Sequence, residues 1–74
     1  MQPHKEIHVS TRDRVMRAWQ NSMEAVRDYK RYANEVSDPA VSALFDRCAE
    51  TEGQQAAAFH EVLNQMAHDN NEQN

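Results

Sequence analysis

The chain reads as all-α, an antiparallel two-helix hairpin that pairs with a second hairpin into a four-helix bundle. Three observations predict this. Two stretches carry apolar side chains at alternating four- and three-residue steps, the spacing of a helix face packed on another helix. Turn formers are scarce, with one glycine and two prolines in 74 residues, whereas sheet-rich domains need many. A single strong break, Ser37-Asp38-Pro39, separates the two stretches.

Residues 1–9 have no helical pattern and are expected to form a flexible arm. Ser10-Thr11-Arg12-Asp13 then approximates a capping box, in which a hydroxyl and an acid satisfy the free N–H groups of a helix start. The first helix is predicted over about 11–36. Its stripe is Val15, Trp19, Ser22, Val26, Tyr29, Ala33 and Val36, widened by Met16, Met23, Ala25 and Tyr32. Proline disfavours helix at the preceding residue and suits the first helical position. Asp38 is therefore the expected cap of a second helix over about 39–67, within a hairpin spanning 10–68. Its stripe is Val41, Phe45, Cys48, Glu52, Gln55, Phe59, Val62 and Met66. Gly53 falls inside this helix, and residues 69–74 form a polar tail.

The short connection makes the helices antiparallel. Laying one stripe on the other pairs residues whose numbers sum to 77 or 78. Ser22, Glu52 and Gln55 then form one polar layer between apolar layers. Buried polar groups must be paired, because leaving them bare costs several kcal/mol. A layer of this kind can set register and partner number.

The net charge of −4 argues against nucleic-acid binding, which needs a basic footprint. No run approaches the roughly 20 apolar residues of a membrane span, and no secretory leader is visible, so a cytoplasmic setting is expected. Cys48 is the only cysteine, so it cannot form an internal disulfide, and its place in the stripe suits a small buried hydrophobe.

Two helices cannot enclose a core, and about sixty folding residues make a marginal domain alone. Residues 10–36 carry six basic and four acidic side chains, whereas residues 38–70 carry one basic and six acidic. Opposite helices attract. The chain itself is the expected partner, as a homodimer or higher oligomer with Trp19, Met23, Val26, Phe59 and Val62 at the interface. A helical protein partner is the other possibility.

The segment Met23–Ala33, with its two tyrosines and closing alanine, and the segment Ala43–Leu63 around Glu52 resemble the first helix pair of rubrerythrin-type, ferritin-like proteins. The likeness covers about fifty residues. It implies half of a ferritin-like bundle, in which a di-iron site takes a glutamate from one helix and Glu-x-x-His from the next. By position Glu52 matches the ligand glutamate, Gln55 stands where the histidine would be, and Ser22 replaces the other glutamate. Gln and Ser are poor iron ligands, so the resemblance implies a degenerate metal site without oxygen chemistry.

The expected function is therefore that of a non-catalytic structural or interaction module, with no cofactor. The alternative is an iron- or zinc-binding protein whose site forms between chains around Glu52, with Glu24 and His60 recruited. Glu24 otherwise reads as an exposed helix acid and His60 as a surface or partly buried side chain. His4 and His8 have metal-ligand spacing if helical. No catalytic triad, Cys–His pair or glycine-rich phosphate loop can be assembled.

Overall fold

A computed structural model describes residues 10–73 as two α-helices packed on each other, α1 over Thr11–Glu35 and α2 over Pro39–Gln73. No strand occurs among the described residues. Neither helix is long and apolar enough to cross a membrane. The arm expected at residues 1–9, with His4 and His8, lies outside the described residues.

The predicted caps form. The Asp13 N–H donates to Ser10 Oγ at 3.0 Å, and the Arg14 N–H donates to the Ser10 carbonyl at 3.1 Å. The first bond satisfies a donor that the first turn leaves without an intrahelical partner, and the second is the helix's first regular backbone bond. α1 ends as Val36 turns extended, its N–H still reaching the Tyr32 carbonyl at 3.0 Å. Asp38 caps α2, its Oδ1 accepting from the N–H groups of Ala40 at 2.8 Å and Val41 at 3.2 Å. α2 runs on to Gln73, past the expected end near residue 67. The tail is polar but contains no glycine or proline after Gly53, so nothing in it breaks the backbone pattern.

A hydrogen bond ties the two helices beside the turn. Ser42 Oγ on α2 donates to the Ala33 carbonyl on α1 at 2.7 Å. Next to it, Tyr29, Tyr32 and Phe45 form an aromatic cluster with ring centroids 5.4–6.4 Å apart, the range favoured by edge and offset contacts. Arg31 lies over the Tyr32 ring at 5.3 Å and also pairs with the exposed Asp28 and Glu35 on its own helix. Such exposed pairs contribute little to stability.

The α1 stripe packs as its spacing predicts. Ser22 and Ala33 are buried, and Val15, Trp19, Val26, Tyr29 and Val36 are half-buried. On α2 the inner line differs from the expected one. Ala49, Ala56 and Leu63 are buried at 2 %, 3 % and 8 % exposure, with Ser42 on the same heptad line. The packed seam is therefore Ser42, Phe45, Ala49, Glu52, Ala56, Phe59, Leu63 and Met66. It keeps Phe45, Glu52, Phe59 and Met66 from the expected stripe. Val41, Cys48, Gln55 and Val62 each sit one residue, or about 100°, off it.

The physical reason is size. At mid-hairpin, Ala49 and Ala56 on the packed line let the two helices come together more closely than Cys48 and Gln55 would, and Ser42 is smaller than Val41 beside the turn; only at Leu63 is the inner residue the larger one. The alternative line is left on the flank, where Val41 is 39 % and Val62 37 % exposed.

Candidate functional site

The hairpin has two flanks, each with an open groove where α1 meets α2. One groove is lined by Tyr29, Leu44, Arg47, Cys48, Thr51 and Glu52. The other is lined by Trp19, Met23, Gly53, Ala56, Ala57 and His60. At 3.6 residues per turn, the first set of α2 positions lies to one side of the Ala49–Ala56 line and the second set to the other.

Glu52 is a half-buried seam residue that also lines the first groove. Ser22 is buried on α1 at 6 % exposure. Gln55, expected in the same polar layer, is exposed, because Ala56 takes the inward position one residue on. Of the three residues expected in one polar layer, Ser22 is buried, Glu52 is half-buried and Gln55 is exposed. No buried side-chain nitrogen or oxygen among the described residues lacks a hydrogen-bond partner, so the packing carries no orphaned polar atom.

The three residues considered for a metal site are dispersed within one chain. Glu52 faces the first groove, His60 faces the second with its ring 5.6 Å from Trp19, and Glu24 is exposed on α1. Among the described residues no group of three or more His, Cys, Asp or Glu side chains is placed to hold a metal ion. Cys48 is half-buried in the first groove rather than in the seam.

The expected interface residues divide between the flanks. Trp19 and Met23 line the second groove, Val26 and Phe59 are half-buried, and Val62 is exposed on the Cys48 side. Sequence reasoning did not separate the flanks, because a single merged stripe hides them. The signal was present in a second heptad line on α2, Val41, Leu44, Cys48, Thr51, Gln55, Ala58 and Val62, adjacent to the packed one.

Comparisons with known proteins add no relative. No protein-family model matches the chain, and neither the curated proteins nor the solved structures include a match. The likeness to rubrerythrin-type proteins rests on the sequence segments alone.

Proposed function

We propose that this chain is a non-catalytic helical hairpin that works as a structural or protein-interaction module by self-association, completing a ferritin-like four-helix bundle. One observation carries the reading. The hairpin buries only small or single apolar side chains, Ala33, Ala49, Ala56 and Leu63, while Met23, Tyr32, Val41, Leu44 and Val62 remain 37–48 % exposed. No large side chain is fully buried among the described residues. An apolar helix face left in water is the feature that a second helix layer removes. The wider stripe of each helix, beyond a strict two-position seam, is also the pattern of a bundle helix with two neighbours.

The experiment is sedimentation equilibrium combined with thermal melting over a hundredfold range of chain concentration. A self-associating module sediments above 8.6 kDa and melts at higher temperature as concentration rises. A chain that stays monomeric, with a melting point independent of concentration, contradicts the proposal.

A further inference from the structure

We infer that the partner is a second copy seated on the Leu44–Cys48 flank, with the two-fold axis parallel to the helices, so that each α2 packs on the partner's α1. This inference rests on the self-association reading and specifies its geometry.

The choice of flank follows from what is exposed. Tyr32, Val41, Leu44 and Val62 carry four of the five exposed large apolar side chains, and all lie on the side of the groove lined by Tyr29, Leu44 and Cys48. Only Met23 belongs to the other side, where His60 and the backbone of Gly53 line the groove. The exposed α2 line also keeps heptad spacing from Val41 to Val62, so it matches a straight helix along its whole length.

The choice of axis follows from charge. A closed two-fold pair of hairpins can stack in two ways. With the axis perpendicular to the helices, α2 meets the partner's α2, bringing together two segments that each carry one basic and six acidic groups. With the axis parallel, α2 meets the partner's α1, whose segment carries six basic and four acidic groups. The second arrangement pairs opposite charges and is favoured.

That arrangement also places complementary side chains in register. On α1 the line through Tyr32 continues to Ala25 and Ala18 at seven-residue intervals, offering small residues to a neighbouring helix. Keeping the helices level sets Leu44 against the Tyr32 position, Thr51 against Ala25, and Ala58 against Ala18. Between them, the exposed Gln55 meets the exposed Asn21, two carboxamides that can hydrogen-bond to each other.

The test uses the full chain with Cys48→Ser as background. Chains carrying Ala25→Cys are mixed with chains carrying Thr51→Cys, equilibrated and mildly oxidised. A covalent dimer is expected from the mixture and not from Thr51→Cys alone. In parallel, Leu44→Asp is expected to halve the sedimenting mass to 8.6 kDa while Met23→Asp leaves the dimer intact. Efficient cross-linking of Thr51→Cys by itself would overturn the axis. Dissociation by Met23→Asp without dissociation by Leu44→Asp would overturn the flank. Either result leaves self-association standing. A parent chain that is monomeric at all concentrations, as one awaiting a foreign helix would be, overturns both this inference and the function on which it rests.

Discussion

Ser42 Oγ donates to the Ala33 carbonyl at 2.7 Å, from the first turn of one helix to the last turn of the other. The Ala33 carbonyl lies where a helix end leaves acceptors without intrahelical donors, and Ala33 itself is 7 % exposed. A short polar side chain on the facing helix fills that need and fixes how the turn closes. Ser42→Ala is expected to destabilise the fold by about 1 kcal/mol, the net worth of such a bond. Urea denaturation monitored by circular dichroism reads this as a lower midpoint with an unchanged slope. No loss of stability would mean that water replaces the hydroxyl at no cost.

Asp38 holds the start of α2 through two bonds from Oδ1. Asp38→Ala is expected to cost about 1 kcal/mol, while Asp38→Asn, which keeps the acceptor, should cost much less. The comparison separates capping from the charge of the carboxylate. Equal losses for both substitutions would attribute the effect to charge.

Ala49 is 2 % exposed on the packed line of α2. Ala49→Leu places three more carbons between two packed backbones and is expected to destabilise by about 1–3 kcal/mol. Cys48→Leu, one residue away on the flank, should change the hairpin's own stability far less. If both substitutions cost the same, the seam through Ala49 is not the packed one.

Gly53 interrupts α2, and a Cβ built there meets nothing within 4 Å. Gly53→Ala is expected to stabilise the chain by about 0.5–1 kcal/mol by removing backbone freedom from the unfolded state. Because Gly53 lines the Trp19 groove, the substitution should leave the dimer's dissociation constant unchanged. A weakened dimer would indicate that this groove, rather than the Leu44 flank, is covered.

Glu52 stands on a seam position that is otherwise apolar or small. Glu52→Leu is expected to raise stability by roughly 1 kcal/mol, since it removes the cost of partly desolvating a carboxylate. The corresponding metal analysis is native mass spectrometry of the purified chain. Stoichiometric iron or zinc that disappears in Glu52→Ala would assign the residue to a metal site between chains.

Much of the fold was legible because the signals are local. Ser10, Asp38 and Pro39 state where helices begin through groups that must satisfy or lack backbone hydrogen bonds. The 4-3 spacing from Val15 to Val36 marks one helix face whatever it packs against. The site was less legible. Gln55 reads as part of a polar layer only if the stripe is drawn through the larger apolar residues, and the packed line runs one residue to the side. The run of α2 to Gln73 is hidden for a related reason, since a polar composition looks like the end of a pattern that has no breaker in it.

By itself, the sequence determined that there are two helices, where they start, and that they run antiparallel, because caps, proline and a three-residue connection act within a few residues. It also determined that Glu52 and Ser22 interrupt an apolar face. Only the tertiary structure decided which of two adjacent heptad lines on α2 faces α1. The two lines share a helix and differ by a rotation of about 100°, which periodicity does not resolve. Close approach of the backbones does resolve it, by selecting Ala49 and Ala56 for the inside and leaving Val41, Leu44 and Val62 for the surface.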